Sequence, residues 1–149
     1  MGSLEGFLKR LVSVAEAADV RLAMHPNDPP IPKLRGMAHI MHRPEDFEHL
    51  LAIGDSRANG ITFCQGCFSE MNADSPLLIH QFGQRIHFVH VRDALGYPLR
   101  FEETFHDNGP TDMVAAMQAY HDIRFDGPLR PDHVPQLHGK GARPTVIHS

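Results

Sequence analysis

The sequence predicts an α/β domain in which parallel strands are flanked by helices. Segments with apolar residues at helical spacing alternate with short β-branched or aromatic runs, and turn-forming residues separate them. No Gly/Ser-rich linker or low-complexity tract divides the chain. This alternation is typical of βαβ units, which build either a doubly wound sheet or part of a barrel. We therefore predict one domain over residues 1–149, with a frayed tail at 138–149.

The composition, with 42% hydrophobic and 21% charged residues, is that of an ordinary globular domain. A net charge of −4 offers no basic surplus for a phosphate backbone, so nucleic-acid binding is not expected. The sequence shows no secretory signal pattern and no apolar run as long as a membrane span. We therefore expect a cytoplasmic location without membrane contact. In a reducing compartment, the two cysteines are more often reactive or metal-bound than joined in a structural disulfide.

Four helices are predicted from apolar spacing and from residues that start helices. The first has apolar residues at helical spacing from Leu4 to Ala15. The second, "PEDFEHLLAIGD", opens with Pro44 followed by acidic residues, and the third is the short "SPLLIHQFGQ". The fourth, "TDMVAAMQAYHDI", has Thr111 or Asp112 as its N-cap.

Four strands are predicted between these helices: "RLAMH", "GITFC", "RIHFVHV" and the Gly/Pro-broken "FDGPLRPDHVP". The prolines of "PNDPPIP" predict an irregular loop after the first strand. After the cysteine pair, "FSEMNADSP" is rich in turn-forming residues, and it predicts a loop before any stable helix.

Residues that can bind metal stand at or just beyond the end of every predicted strand. They are His25, Cys64, His90 and Asp132. Taken singly, each is also explained as a capped, buried or turn residue. The carboxyl ends of parallel strands, however, meet at one edge, where α/β folds build their sites. Nitrogen, sulfur and oxygen donors together favour a transition metal such as Mn, Fe or Zn over Ca or Mg.

The alternation of side chains along each strand predicts that these ligands share one face. Ala23 lies with His25, Thr62 with Cys64, and Phe88 with His90. The opposite face is predicted to carry six residues: Leu22, Met24, Ile61, Phe63, His87 and Val89.

The pair Cys64 and Cys67 in "CQGC" allows three interpretations. A redox disulfide needs both cysteines at the start of a helix, which the predicted loop disfavours. A structural zinc site needs a second closely spaced Cys/His pair, and none is visible. The third interpretation is one metal ligand, Cys64, beside an incidental Cys67.

Several motifs in order resemble the second half of mannonate dehydratase: "RLAMHPNDPP", "NGITFCQGCFSEM", "IHFVHVRD", "FEETFHDNGPTDM" and "FDGPLRPDHVP". The resemblance runs from about residue 4 to about residue 137. It implies a partial (β/α)₈ TIM barrel of the xylose isomerase type, with about four βα units. It also implies a hydro-lyase of hexuronate breakdown that uses Mn²⁺ or Fe²⁺ to convert D-mannonate to 2-keto-3-deoxy-D-gluconate.

The resemblance assigns the metal ligands to His25, Cys64, His90 and Asp132, and an acid/base role to His133. Three further residues are candidates to hold the substrate. Asn27 and Arg92 each stand two residues beyond a predicted ligand, and Arg can pair with a carboxylate through two hydrogen bonds. His106 in the "FHDNG" loop is the third candidate.

A full barrel of this type takes about 250 residues, so 149 residues correspond to roughly half of one. Because a half-barrel exposes strand edges, we expect a second copy or a complementing chain to cover them. Two alternatives to a lyase remain. One is a truncated, non-catalytic metal-binding fragment or subunit of such an enzyme, and the other is a thiol redox module using both cysteines.

Overall fold

The structure is a computed structural model that describes residues 2–135. Helices and strands alternate throughout these residues, with one 3₁₀ turn at Gly83–Arg85 before β5. The helices are α1 (Gly2–Ala17), α2 (Pro44–Ile53), α3 (Gln65–Glu70), α4 (Ser75–Phe82) and α5 (Met113–Asp122). The strands are β1 (Leu22–Met24), β2 (Lys33–Leu34), β3 (Met37–Ala38), β4 (Asn59–Cys64), β5 (Ile86–Val91), β6 (Ala94–Tyr97), β7 (Arg100–Glu103) and β8 (Leu129–Pro131).

The central sheet has four strands in the order β1-β4-β5-β8, and every neighbouring pair is parallel. Helical crossovers connect them, with α2 between β1 and β4, α3 and α4 between β4 and β5, and α5 between β5 and β8. The predicted parallel α/β sheet is thereby confirmed, and the four predicted strands are its members. Among the described residues, β1 and β8 are the edges of this sheet.

The core lies between the sheet and the five helices, and aromatic rings dominate it. Phe63 of β4 stacks on Phe68 of α3 with ring centroids 4.5 Å apart. Phe47 of α2 lies 5.3 Å from Phe68, and Phe82 of α4 lies 6.1 Å from it. These rings are almost fully removed from water, so their burial is a main source of stability for this face of the sheet.

Helix α3 begins directly after Cys64, so the prediction of a loop at this point is wrong. All six of its residues are buried, Phe68 packs in the core, and the Ser69 hydroxyl donates a 2.9 Å hydrogen bond to the Ala94 carbonyl. These tertiary contacts override the turn-forming tendency of the local sequence. The loop follows instead at residues 71–74, where Asp74 caps α4 by accepting a hydrogen bond from the Leu77 amide.

The four predicted helices are confirmed, and Asp112 is the N-cap of α5. Two hairpins were not predicted. β2 and β3 pair across Arg35 and Gly36, which both have positive φ and form the tight turn that suits a two-residue hairpin. β6 and β7 form the second hairpin directly after β5. In residues 2–135 no helix has the length and apolar character needed to cross a membrane.

His87 was predicted on the face opposite to the ligands, and this prediction is wrong because β5 carries a bulge. Ile61 pairs with Ile86, but Thr62 pairs with Phe88, so His87 is an extra residue that breaks the alternation. Its Nδ1 lies 2.7 Å from the Leu22 carbonyl of β1, and its ring lies over Gly60. Since Gly60 alternates with Thr62 and Cys64, His87 lies on the same face as the predicted ligands.

This arrangement predicts that Gly60→Ala destabilises the protein. A Cβ at this position would meet the His87 ring and lie 2.5 Å from the Arg85 carbonyl oxygen, and backbone cannot move away at low cost. We expect a loss of about 1–3 kcal/mol in the free energy of unfolding, measured by urea denaturation. Gly6→Ala is the control, because its Cβ in α1 meets nothing within 4 Å and should be neutral or slightly stabilising. Equal stability of the two variants would contradict this prediction.

Candidate metal centre

Three predicted ligands converge at the carboxyl ends of the first three strands of the sheet. The ligand atoms of His25, Cys64 and His90 all lie within 4.8 Å of one another. His25 Nε2 and His90 Nδ1 are 3.2 Å apart. His25 Nδ1 lies 2.7 Å from the Pro26 carbonyl, which can only accept a hydrogen bond. Nδ1 therefore donates to this carbonyl, and Nε2 is the ring nitrogen that faces the other two ligand atoms, as metal binding requires.

The fourth predicted ligand, Asp132, stands beside this triad. Its backbone amide donates to the Val91 carbonyl at 2.9 Å, which continues the pairing of β8 with β5. Its carboxylate Oδ2 lies 3.5 Å from His90 Nδ1, while Oδ1 accepts a 2.6 Å hydrogen bond from Arg130. Two imidazoles, one thiol and one carboxylate thus meet at one rim, and this donor set fits a divalent transition metal.

The environment of Cys64 favours its thiolate form. A hydrogen bond from the Cys67 side chain lowers the pKa of Cys64 most, and hydrogen bonds from His25 and His90 lower it further. Burial of the sulfur acts in the opposite direction but is outweighed. The thiolate is the form of cysteine that binds metal, so the electrostatics of this position agree with its place in the triad.

A second cluster lies next to the triad and is centred on Arg92, whose side chain is only 1% exposed. The guanidinium approaches three carboxylates, and we call these four residues the Arg92 cage. Nη1 lies 3.1 Å from Asp28, and Nη2 lies 2.9 Å from Glu70 and 2.6 Å from Glu103. Gly66 lets this side chain pass, because a Cβ there would lie 2.6 Å from Arg92 carbons.

The Arg92 cage explains why a second group of possible metal ligands needs no ion. Ligand atoms of Asp28, Cys67 and Glu70 lie within 4.8 Å of one another, yet the guanidinium already stands among them as the cation. Burial of Arg92 disfavours its charge, but the hydrogen bond to Glu103 and the charge of Asp28 raise its pKa above the ordinary value. Arg92 is therefore charged and fully engaged.

His133, the predicted acid/base residue, lies on the open side of the rim. Its side chain is 57% exposed, its Nε2 is 3.8 Å from Asp132 Oδ1, and its Nδ1 is 3.7 Å from Glu103 Oε1. His133 therefore lies between the predicted metal ligands and the Arg92 cage, and one carboxylate oxygen lies near each of its ring nitrogens. A ring in this position can reach a molecule bound at the rim.

The three residues predicted to hold the substrate differ in how many of their polar atoms already make hydrogen bonds. The Asn27 side-chain oxygen accepts hydrogen bonds from the Ile40 and Met41 amides at 3.1 and 2.9 Å, so it fixes the loop after β1. Arg92 is buried and paired as described above. His106 is half-buried, and its Nε2 has no hydrogen-bond partner in the part of the chain that the structure describes. Their roles toward a substrate stay predictions.

The carboxylates that surround Arg92 are not among the residues predicted from the sequence. Asp28 follows the predicted ligand His25 by three residues, and Glu70 follows Cys67 by three residues. Glu70 was hidden because its segment was predicted as a loop, and Glu103 because the β6–β7 hairpin was not predicted. The available signal was that Asp28 and Glu70 each stand three residues beyond a candidate residue, but spacing alone could not pair them with Arg92.

A family model described as D-mannonate dehydratase (UxuA) matches residues 1–147. The chain belongs to the D-mannonate dehydratase family. The predicted resemblance is thereby confirmed.

Curated relatives agree with this membership. Mannonate dehydratase 2 of Halalkalibacterium halodurans is 40% identical over 144 residues, which is 93% of this chain and 41% of that protein. The mannonate dehydratase of Thermotoga maritima is 41% identical over 144 residues, 93% of this chain and 40% of its own length. The chain thus spans about two fifths of the relatives that it matches.

Solved structures extend the comparison to the fold. Mannonate dehydratase from Streptococcus suis superposes with a TM-score of 0.82 and 36% identity, over 89% of this chain and 39% of that one. A xylose isomerase domain protein from Alicyclobacillus acidocaldarius gives a TM-score of 0.71 at 12% identity, over 92% of this chain and 52% of that one, and so shows the fold alone. The prediction of a partial TIM barrel of the xylose isomerase type is confirmed for this member of the D-mannonate dehydratase family.

The Arg92 cage predicts that the free energy of unfolding depends on pH through the titration of Glu70. Burial raises the pKa of Glu70 from 4.5 to about 8, and the charge of Arg92 offsets only part of this rise. Between these two pH values, the folded protein holds a proton that the unfolded chain releases. The contribution of Glu70 to the free energy of unfolding therefore decreases as pH rises from about 4.5 to about 8.

Glu70→Gln removes this titration and keeps a neutral side chain of the same size. Stability curves from urea denaturation across this pH range should show wild type losing stability relative to Glu70→Gln as pH rises. Glu102→Gln, on the exposed side of β7, is the control and should run parallel to wild type. Parallel curves for wild type and Glu70→Gln would contradict the raised pKa.

Proposed function

We propose that this chain carries the metal-binding part of a mannonate dehydratase-like hydro-lyase that converts D-mannonate to 2-keto-3-deoxy-D-gluconate and water. The observation that carries the proposal is the meeting of His25, Cys64 and His90 within 4.8 Å at the strand ends, with Asp132 beside them. Membership of the D-mannonate dehydratase family supports the choice of reaction and substrate.

Mn²⁺ or Fe²⁺ is the proposed cofactor, held by His25, Cys64, His90 and Asp132. When bound, such an ion would stabilise the negative charge that develops on substrate oxygens as the C2 proton leaves. The chain's own contribution is to arrange the four donors. The Pro26 carbonyl fixes the tautomer of His25, and Arg130 orients Asp132 through a 2.6 Å hydrogen bond.

The proton transfers are assigned to His133. In the dehydration, the C2–H and C3–O bonds break, a C2–C3 double bond forms, and the resulting enol rearranges to the 2-keto acid. His133 either takes the C2 proton or gives a proton to the departing C3 hydroxyl, since an imidazole titrates near neutral pH. Its exposure at the rim and its place between Asp132 and Glu103 support this assignment.

The three predicted residues would bind substrate oxygens in different ways. His106 offers an unpartnered ring nitrogen, and Asn27 offers its amide NH₂ because its oxygen is already used. For Arg92 to bind the substrate carboxylate, the substrate would have to replace one of its present partners. Asp28 is the most exposed of the three carboxylates, with 30% of its side chain accessible, and is the partner easiest to displace.

We further propose that a second copy or a complementing chain completes the barrel around this site. Among the described residues, β1 and β8 have a neighbour on one side only. Leu129 of β8 is 43% exposed and lies beside Val89, which is fully buried. An open strand edge of this kind leaves backbone groups available for pairing with further strands.

A metal-binding protein without turnover is the second candidate function, because metal binding needs only the ligand set. The chain spans about two fifths of its curated relatives, while all four proposed ligands lie within it. A thiol redox function is a weaker candidate. Cys64 is the N-cap of α3, as that function requires, but both cysteines are fully buried, and the Cys64 sulfur lies within 4.8 Å of ligand atoms of both His25 and His90.

The first test measures metal binding. The purified chain should bind one Mn²⁺ per chain, quantified by elemental analysis after removal of free ion. Cys64→Ser should weaken binding because the soft thiolate donor is lost, and we expect a reduction on the order of 10- to 100-fold, as for disruption of a metal site. His121→Asn on the exposed face of α5 is the control. Unchanged affinity in Cys64→Ser would contradict the ligand assignment.

The second test measures turnover of D-mannonate by the Mn²⁺-loaded chain, with the 2-keto acid product quantified. His133→Asn should keep metal affinity and lose about 10²- to 10⁴-fold in turnover, the usual contribution of a general acid or base. Metal binding without turnover in wild type would favour the non-catalytic candidate. Turnover retained by His133→Asn would refute the role of His133.

A further inference from the structure

The two open edges of the sheet lie beside the two outermost helices of the helix layer. α1 packs against α2, and α5 packs against α4. α2 and α4 meet between them, since the rings of Phe47 and Phe82 lie 6.3 Å apart. The layer therefore runs α1-α2-α4-α5, in the same direction as the strand order β1-β4-β5-β8. Among the described residues, each end of the domain thus presents one strand edge and one helix side without a neighbour.

The side of α1 that faces away from α2 is apolar and exposed. α1 directs Glu16 toward the loop after α2, where its carboxylate accepts a hydrogen bond from the Ser56 hydroxyl. The core-facing stripe consists of Leu8, Val12 and Ala15. On the far side of that stripe, a second apolar stripe follows at helical spacing: Leu4, Phe7, Leu11 and Val14. Phe7 is 52% exposed and Val14 is 64% exposed, so this stripe has no cover.

The side of α5 that faces away from α4 has the same character. Asp122 marks the α4 side, because its Oδ2 lies 3.9 Å from Nε2 of His80 on α4. Val114 and Met117, away from that side, are 82% and 39% exposed. A groove of about 500 Å³ runs along them and is lined by Met113, Val114, Met117, Gln118 and His121. Contiguous exposed apolar side chains of this kind mark an interaction surface.

We propose that two copies of this chain close one eight-stranded barrel, in which α5 and β8 of each copy pack against α1 and β1 of the other. The described sheet has four parallel strands, and a (β/α)₈ barrel has eight. A two-fold rotation about the barrel axis places β8 of one copy parallel to β1 of the other, and it repeats the same contact at the second junction. Two copies therefore leave no strand edge open.

The two apolar helix sides favour this occupant because closure brings them together. In a barrel of this type, the helix that precedes each strand packs on the outside of the sheet. α1 precedes β1, and α5 precedes β8. At each junction, α5 of one copy therefore lies beside α1 of the other. The stripe of Phe7 and Val14 then covers the groove along Val114 and Met117, and both lose their contact with water.

Closure of the barrel also completes the rim at its open side. His133, just beyond β8, is 57% exposed. β1 of the second copy lies on that side, with its carboxyl end at the same rim because the strands are parallel. The inference rests on the part of the proposed function in which a partner completes the barrel. It does not require metal binding or turnover.

The test measures the mass of the full chain in solution by light scattering. Wild type should have twice the chain mass of 16.7 kDa. Val14→Lys and Met117→Glu each place a charge in the apolar α1–α5 contact, and each should weaken the dimer by about 10-fold or more. Leu77→Glu is the control, because Leu77 is 62% exposed on α4 in the middle of the layer and should leave the dimer intact.

The double variant Val14→Lys/Met117→Glu distinguishes the proposed barrel from other dimers. In the barrel, the introduced lysine of one copy lies near the introduced glutamate of the other, so the double variant should recover the dimer. A dimer that joins α1 to α1 would bring like charges together and would not recover. Failure of the double variant to recover would overturn the inference. Circular dichroism checks the fold of each variant, and Phe7→Lys replaces Val14→Lys if the latter does not fold.

Other outcomes would also decide the question. A monomer at micromolar concentration, or an assembly that grows beyond two copies, would overturn the inference. A dimer that neither single variant weakens would overturn it as well. The Mn²⁺ content of the same samples keeps the proposed metal centre separate. A monomer that binds Mn²⁺ would leave that centre in place, whereas a dimer without Mn²⁺ would support the closed barrel and count against the metal centre.

Discussion

The charge of Arg92 is the constraint on which the rim of this protein depends. A buried guanidinium is costly unless its donors and its charge find partners. Here Asp28 and Glu103 accept its hydrogen bonds, and Glu70 lies 2.9 Å away as a third carboxyl group. Gly66 must lack a side chain for Arg92 to pass, and Glu70 must sit in a helix to face it. The loop after β1, helix α3 and the β6–β7 hairpin are thus held around one charge, and the strand ends that carry His25, Cys64 and His90 are held with them.

The two clusters at the rim share contacts and cannot be considered separately. Cys67 of the CQGC pair has its sulfur 3.6 Å from Arg92 Nη1, while Glu103 lies 3.7 Å from His133 and bonds Arg92. The cage therefore contacts both the cysteine pair and the proposed acid/base residue. A change of charge in the cage would reach the rim by both routes.

The sequence was sufficient to predict the parallel sheet and the convergence of the predicted ligands, because both depend on the order of helices and strands along the chain. Alternating helical and strand patterns require parallel strands, and parallel strands put their carboxyl ends together. His25, Cys64 and His90 could be assigned to one rim on that argument alone. Asp132 followed from the same argument, although its carboxylate stands beside His90 and outside the triad.

The rest depended on contacts between residues far apart in the chain. Helix α3 exists because Phe68 packs on Phe63 and Ser69 bonds Ala94, and neither contact is visible in its turn-rich sequence. One inserted residue, His87, changes faces because of a bulge that strand alternation cannot anticipate. Spacing along the chain likewise gave no way to pair Arg92 with Asp28, Glu70 and Glu103.

The position of the proposed ligands also separates metal binding from turnover, two properties that a complete barrel would combine. All four ligands come from neighbouring strands of one sheet, and the Arg92 cage that supports them lies in the same residues. Metal affinity should therefore be a property of this half-barrel. A substrate, by contrast, needs walls on every side, and the described strands supply one side of the rim. Under the proposed function, turnover would then depend on what pairs with β1 and β8, whereas metal binding would not.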